Sequence, residues 1–444
     1  MLEKFGIRCE RLVRSYMPDP FVLVLFLTFF TFGLALWVTP TRPSELLQYW
    51  NTGFWELLSF AMQMVLIVVT GEALAETAFV QKLLSRIYLI PKSAVTAVVL
   101  LTFFSITLGW LHWGFGLVIS SIAARELARN LQKRKIAIHY PLLGAAAYMS
   151  MLLWHAGTTA SAPLLINTPG HFLYKEIGLI ALSETIFLPS NIIVCLSLAF
   201  MIPFVLSQLL PRRNLRTFDQ FEVSKNVNIQ MLSEEKAKTF AEKLEKSYVT
   251  SFLLGMMGLA FLIPYFKREG FNLNHNVVNF LFLIVGLLLH KNPLSYVRAF
   301  TNSAKGTAGI ILQFPFYGGI MGLMRESGLG REIAQLFIQF SDQHSLPFYT
   351  YLASVLTKFF IPSGGGEWAI EGPVMIQAAK ELGTPIGLTV MGIAYGNMVG
   401  NMFQPFWAIP LLSIMGLKAG DIMGYCLVVF VFAFPILGIA LWFT

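Results

Sequence analysis

Apolar runs about as long as a hydrocarbon core is thick, roughly 20 residues as a helix, follow one another along the chain with short polar connectors between them. Seven are nearly unbroken: 20–38, 54–74, 186–206, 248–266, 276–290, 306–324 and 421–443. Four further regions, 93–131, 140–169, 346–381 and 385–414, are also apolar but are interrupted by glycine, proline, small polar residues or charge. Two short stripes, Val80, Leu83, Leu84, Ile87 and Ile333, Leu336, Phe337, Phe340, have i, i+3, i+4, i+7 spacing and predict interfacial helices around 80–90 and 332–341. The one sizeable polar stretch, 209–247, ends in "SEEKAKTFAEKLEKS". There Glu234/Lys238 and Glu242/Lys246 have the i,i+4 spacing of a solvated helix, and the stretch reads as a linker.

The interruptions recur. Gln63, Gly114 and Gly116 return 250 residues later as Gln313, Gly364 and Gly366. Ala147, Tyr148, Met151 and Pro163 to Leu165 return 247 residues later as Ala394, Tyr395, Met398 and Pro410 to Leu412. The shared order and nearly constant offset point to an internal duplication, a frequent origin of transporter folds. Each copy reads as two spanning helices, an interfacial helix, a hairpin that enters and leaves on one side, a broken spanning helix and a final spanning helix. The expected domains are a first repeat over 1–208 (hairpin 93–131, broken helix 140–169), a cytoplasmic linker over 209–247, an inverting helix over 248–270, and a second repeat over 271–444 (hairpin 346–381, broken helix 385–414). The predicted fold class is therefore an all-α polytopic membrane protein of two inverted repeats, with about nine spanning helices and two helical hairpins.

Composition supports the lipid environment: 56% of the 444 residues are hydrophobic, 13% are charged, and the mean hydropathy is +0.65. Cys9, Cys195 and Cys426 have no paired spacing, so neither a disulfide framework nor a zinc site is expected. The first 20 residues, "MLEKFGIRCERLVRSYMPDP", lack the apolar core and cleavage site of a signal peptide. They are expected to remain as a cytoplasmic interfacial helix. With that end inside, 24 Lys and Arg fall on the cytoplasmic side and 7 on the other, or 16 against 7 without the long linker. The net charge of +8 then reflects topology and contact with anionic lipid, and no nucleic-acid partner is expected.

The inverted arrangement brings two hairpin tips toward each other, "GWLHWGFG" (109–116) and "IPSGGGEW" (361–368). Backbone that leaves the helix at membrane depth is tolerated around a cavity, and a half-helix restarting there points free N–H groups at it. The candidate substrate-binding residues are His112, Trp113, Gly114 and Gly116 at the first tip and Ser363, Gly364, Gly365, Gly366 and Glu367 at the second. Thr158, Thr159 and Ser161 of the first broken helix join them, with Asn397, Asn401 and Gln404 of the second. Uncharged donors beside Trp113, Trp154, Trp368, Phe403 and Trp407 suit a short apolar tail with one polar head. A dicarboxylate or phosphate site more often shows convergent arginines, and here Lys358 is the one basic residue not assigned to either membrane face. Other readings stand beside these: membrane glycines also serve close packing, His112 and His155 also read as packed histidines, Lys358 also reads as snorkelling outward, and Glu367 also reads as a solvated acid or a partner of Lys358. No HExxH, GxSxG or acid cluster suggests catalysis.

The blocks "MPDPF", "FWELLSFAMQMVLIVVTG", "HWGFGL", "GLLLHKNP", "GTAGIILQFPFYGGI", "IPSGGGEWAIEGP" and "NMFQPFWAIPLL" resemble the bacterial short-chain fatty acid transporter family over nearly the whole chain. The resemblance implies secondary transport of small monocarboxylates such as acetoacetate or butyrate across the inner membrane. It also implies a superfamily of often dimeric elevators, in which a scaffold supports a moving domain that carries the hairpins. The expectation is thus a homodimeric, multi-pass carrier with no cofactor apart from a coupling ion, proton or sodium, and with no assigned metal site. Carboxylate binding would fall to backbone dipoles and Ser/Thr/Asn groups, with His112 or Glu367 carrying a coupling proton. A carrier for another small organic anion, or an anion channel with a continuous polar pathway, is the alternative.

Overall fold

The computed structural model describes residues 20–87, 89–211, 215–221, 239–358, 361–404 and 406–444. The interfacial helix expected over 1–19, the Glu234/Lys238 pair and Pro405 lie outside those residues.

Every regular element among the described residues is helical. Helix α1 (Pro20–Val38) is followed by α2 (Pro43–Glu56) and α3 (Leu58–Ala75), which are joined through a bend at Leu57. A short amphipathic α4 (Ala78–Ile87) precedes α5 (Ala94–Leu111) and α6 (Trp113–Lys133). Next comes a broken segment: α7 (Tyr140–Tyr148), 3-10 turns at Met149–Met151 and Trp154–Ala156, and α8 (Ser161–Ile166). It leads through α9 (Tyr174–Ile177) to α10 (Pro189–Gln208). Beyond α11 (Phe240–Glu245) and α12 (Tyr248–Glu269), the same succession occurs again. It comprises α13 (His275–His290), α14 (Pro293–Ala304) with α15 (Ala308–Glu326), the amphipathic α16 (Leu329–Phe340), α17 (Leu346–Thr357) and α18 (Gly364–Leu382), a broken α19 (Ile386–Gly400) and α20 (Ile409–Met415), and α21 (Ala419–Trp442).

Seven stretches among the described residues are long and apolar enough to cross a membrane, against the nine spanning helices expected. The broken segments contribute none, because irregular backbone interrupts them at 149–160 and after Gly400, and α13 has 16 residues. Conversely α5, expected as one arm of a hairpin, is long and apolar enough on its own. The expected spans 54–74 and 306–324 lie within longer stretches, Pro43–Ala75 and Pro293–Glu326. Large side chains such as Phe26, Phe29 and Phe30 on α1 and Met257 and Phe261 on α12 stand exposed, as lipid-facing residues do. This is a multi-pass membrane protein.

The helices pack in two groups. One gathers α1, α2, α3, α13, α14 and α15; the other gathers α5, α6, α7, α10, α17, α18, α19 and α21. They meet where α3 packs on α6 and where α15 packs on α18. The first group closes around a glycine crossing between α2 and α15. A Cβ on Gly318 would lie 2.5 Å from the Gly53 carbonyl oxygen, and one on Gly322 would lie 2.4 Å from the Tyr49 carbonyl oxygen. In lipid, where apolar surface gains little by leaving its solvent, such close backbone approach is the main source of helix association. Across the same interface, Arg325 of α15 makes a two-pronged ion pair with Glu56 of α2, at 2.8 and 2.7 Å.

Gly318→Val and Gly322→Val are therefore expected to force α2 and α15 apart and to destabilise the protein by about 1–3 kcal/mol each. Gly33→Ala on α1, where an added Cβ meets nothing within 4 Å, is expected to be neutral. Thermal unfolding in detergent checks both, and an unchanged melting temperature for the two valine variants would contradict the crossing.

Candidate functional site

The first break spans a single residue. His112 ends α5 and begins α6 with an extended backbone, φ −161° and ψ 111°. Its Nδ1 accepts a hydrogen bond from the Phe115 N–H (3.3 Å), so the imidazole is an N-cap. The ring sits in a notch over Gly71 of α3 and lies 4.0 Å, centroid to centroid, from Phe282 of α13. The backbone groups freed at this break are taken up by the first broken segment. The Trp113 N–H donates to Thr159 Oγ1 (3.2 Å), the Thr158 N–H donates to the Trp110 carbonyl (2.9 Å), and the Thr158 hydroxyl donates to the Leu111 carbonyl. Gly157 permits this closeness, since a Cβ there would lie 2.1 Å from the Trp110 carbonyl oxygen. Thr158 and Thr159 thus close the tip.

At the second break α17 ends at Thr357, and Pro362, which has no N–H, holds the chain out of the helix. Ser363 restarts it as the N-cap of α18, accepting from the Gly366 N–H at 3.3 Å. The freed Pro362 carbonyl accepts from Lys358 Nζ (2.7 Å) and from Trp407 Nε1 (2.9 Å). Each of the three glycines faces a different neighbour. A Cβ on Gly364 would meet His155 (2.1 Å), one on Gly365 would meet Phe314 and Phe60 (2.9 and 3.1 Å), and one on Gly366 would meet Tyr317 (2.5 Å).

Between the tips runs an aromatic column. Trp113 stacks on Trp154 at 4.3 Å, Trp154 stacks on His155 at 4.1 Å, and His155 abuts Gly364. Trp407 packs edge-on against Trp113 (5.0 Å) and Trp154 (5.4 Å) while its indole N–H holds Pro362. The two breaks therefore do come together, joined through Trp154, His155 and Trp407.

Beneath the second tip lies a fully buried polar network. Lys358 Nζ donates to Asn397 Oδ1 (2.6 Å), and Asn397 Nδ2 donates to Glu367 Oε2. Glu367 Oε1 is paired with the Ser354 hydroxyl, which also reaches the Ile393 carbonyl at 3.0 Å. Lys358 and Glu367 are both 0% exposed. Lys358 therefore does not snorkel, and Glu367 is a buried acid held by Ser354 and Asn397, linked to Lys358 through Asn397 rather than by a direct ion pair.

The remaining expected residues sit around this centre. Gly116 lets the two arms of the first tip touch, and Gly114 makes ordinary contact with Val68 of α3. Asn401 Nδ2 donates to the Met151 carbonyl (3.3 Å), and the Tyr148 hydroxyl holds the carbonyls of Asn401 and Gln404 at 3.1 and 3.2 Å. His155 Nε2, Ser161 Oγ, Trp113 Nε1, Trp368 Nε1, Asn401 Oδ1 and Gln404 Oε1 are buried and have no partner within the protein. Four of these can present an N–H or O–H to an anion, and none belongs to an arginine. Ser354, Tyr148 and the His155–Gly364 contact were absent from the expected set. A serine or tyrosine within an apolar run carries no signal of its own, whereas Lys358, an isolated cation at membrane depth, does.

Residues 1–444 match the family described as Short chain fatty acid transporter. A protein of Escherichia coli (strain K12), provisionally named a short-chain fatty acid transporter, is 42% identical over 434 residues, covering 98% of each chain. One from Haemophilus influenzae (strain ATCC 51907 / DSM 11121 / KW20 / Rd), named in the same way, is 41% identical over 439 residues, covering 97% of each. Among solved structures, the YdaH transporter of Alcanivorax borkumensis has a TM-score of 0.57 at 16% identity, over 95% of this chain and 98% of that one. MtrF of Neisseria gonorrhoeae, described as illuminating a class of antimetabolite efflux pumps, has a TM-score of 0.60 at 14% identity, over 98% of this chain and 96% of that one. At these identities the structural likeness concerns the fold.

Lys358→Met removes the cation and leaves the Glu367 carboxylate without its compensating charge. It is expected to destabilise the protein by about 3–5 kcal/mol, the usual result of breaking a buried pair from one side. Adding Glu367→Gln should restore part of that loss. Melting temperatures of the two single variants and the double variant check the coupling, and additive losses would contradict it.

Proposed function

Because the chain belongs to the short chain fatty acid transporter family, we propose that it is a secondary active carrier that moves short-chain monocarboxylates, acetoacetate and butyrate among them, together with a proton. The observation that carries this reading is the set of buried, uncharged, unpartnered donors around the two helix breaks: His155 Nε2, Ser161 Oγ, Trp113 Nε1 and Trp368 Nε1. Neutral donors in a dry site hold a single carboxylate without the arginine forks that larger anions recruit. The Trp113, Trp154 and Trp407 rings offer a short hydrocarbon tail an apolar wall.

Coupling to a proton is the reading that the buried Glu367 favours. Its partner Ser354 has one hydroxyl hydrogen and two oxygen neighbours, Glu367 Oε1 and the Ile393 carbonyl. Donating to Glu367, Ser354 satisfies a carboxylate; donating to Ile393, it accepts from a protonated carboxyl. Glu367 can thus gain or lose a proton without leaving a neighbour unpaired.

The carrier works as an elevator of two inverted repeats. The group that contains both breaks moves, while α1–α3 and α13–α15 form the scaffold. Support comes from the boundary, where Gly365 and Gly366 rest on Phe60, Phe314 and Tyr317 and where His112 rests over Gly71. These are contacts of shape with no ion pair to break, and beside the first broken segment the boundary adds hydrogen bonds from His275 of α13 to Ala160 and Thr168. The basic-residue asymmetry supports a cytoplasmic N-terminus in the inner membrane, and the family resemblance supports a homodimer.

Counterflow of labelled butyrate or acetoacetate in proteoliposomes is expected to be saturable. Accumulation is expected to rise as the outside is acidified and to collapse with a protonophore, because a symported proton adds its gradient to the driving force. No saturable exchange of any small monocarboxylate would sink the substrate class. Accumulation that survives the protonophore and stops when sodium is replaced would assign coupling to sodium.

A further inference from the structure

One titratable group near this network has no place in the mechanism above. Glu371 lies on α18 one helical turn after Glu367, an i,i+4 pair on one face with Cβ atoms about 5–6 Å apart. It is 7% exposed, and its Oε2 atom is buried without a hydrogen-bond partner. Glu371 lines a cavity of about 240 Å³ between α1, α15, α16 and the α17–α18 region. Leu27, Phe30 and Leu34 of α1, Met324 of α15, and Ile333 and Phe337 of α16 form the facing walls and bring no titratable group. Beside Glu371 itself are Thr357 and Lys358 at the end of α17, and Glu367 on its own helix. Across the network, Tyr317 of α15 and His155 of the first broken segment face Glu367 and Lys358 respectively. α19 contributes the amide of Asn397 and the carbonyl of Ile393.

The charges of this cluster do not balance if all three groups are ionised. One ammonium and two carboxylates leave one negative charge uncompensated at membrane depth, which costs several kcal/mol. A single proton on either carboxylate makes the cluster neutral. Two carboxylates this close share a proton rather than titrate separately. We infer that Glu367 and Glu371 together hold one exchangeable proton beside Lys358, with Glu371 as the end that meets the cavity and Glu367 as the end that meets the substrate site. In the transfer, the O–H bond on Glu371 breaks as one forms on Glu367, the hydroxyl of Ser354 turns from Glu367 to the Ile393 carbonyl, and Lys358 stays an ammonium throughout. The role of this shared proton in transport rests on the proton-coupled reading above.

Infrared difference spectroscopy of the full chain in lipid tests the sharing directly, comparing the wild type with Glu371→Gln and Glu367→Gln. The wild type is expected to show one protonated-carboxyl band that disappears in either variant, because the remaining carboxylate then pairs with Lys358 and needs no proton. Glu371→Asp keeps a second acid and is expected to keep the band, shifted, which guards against a variant that fails to fold. A band that persists unchanged in Glu371→Gln would place the proton on Glu367 alone and overturn the inference. In proteoliposomes, Glu371→Gln is expected to lose proton-driven uptake by at least about tenfold and to flatten its pH profile, and Glu371→Asp to recover much of both. Wild-type uptake and a wild-type pH profile in Glu371→Gln would likewise overturn it. If the band behaves as expected but wild-type uptake follows sodium, the coupling reading fails and the shared proton stands.

Discussion

Four segments of this protein leave the helix inside the apolar interior, and backbone polar groups there have no bulk water to turn to. The breaks satisfy one another. The carbonyls of Trp110 and Leu111 at the first tip are taken by Thr158, and the Trp113 N–H by Thr159. The Pro362 carbonyl at the second tip is taken by Lys358 and Trp407. The Met151 and Ala156 carbonyls of the first broken segment are taken by Asn401 and by Trp110 and Asn191. The tips and broken segments thus form one cross-linked body.

The first broken segment of that body is hydrogen-bonded to His275 of α13 and to Asn272 and Leu273 before it, whereas the second tip meets the rest of the protein on a different kind of surface. The group of α1–α3 and α13–α15 is held together by backbone-to-backbone glycine contact between α2 and α15 and by the Arg325–Glu56 ion pair. Toward the hairpins it presents Phe60, Phe314 and Tyr317, against which Gly365 and Gly366 lie flat. Close packing without directional bonds is strong in one register and free to re-form in another. Close glycine packing and a role in transport are therefore compatible at "GGG": the residues that let the second tip approach α3 and α15 also leave that approach unbonded.

Electrostatics set the remaining constraint. A lysine and two glutamates share a region in which Lys358 and Glu367 are fully buried. Their hydrogen bonds run through Asn397 and Ser354, neutral side chains that tolerate either protonation state. The column of Trp113, Trp154 and His155 adds an apolar wall with polar edges next to this charge. A small anion with a short tail is the ligand such a combination suits, and membership of the short chain fatty acid transporter family agrees.

Much of this was legible in the chain. The all-helical multi-pass class, the two interrupted regions in each half and the two tips follow from local facts: apolar run length, glycine and proline at set places, and an acid where lipid should be. The family was legible from long blocks such as "IPSGGGEWAIEGP". The number of spanning helices was less so, because run length cannot tell a spanning helix from two short helices joined by irregular backbone, as at 140–169. The site was half legible. Spacing along one segment pointed to Glu367, Asn397 and the glycines, yet it could not show that Thr158 and Thr159 also bind the backbone at Trp110, Leu111 and Trp113, which lies on another segment. It left Lys358 with two directions to point. Only the tertiary structure decided that Lys358 turns inward to Asn397, that Ser354 joins Glu367, and that Gly364 leaves room for His155, because each is a contact between residues brought side by side by packing rather than by sequence.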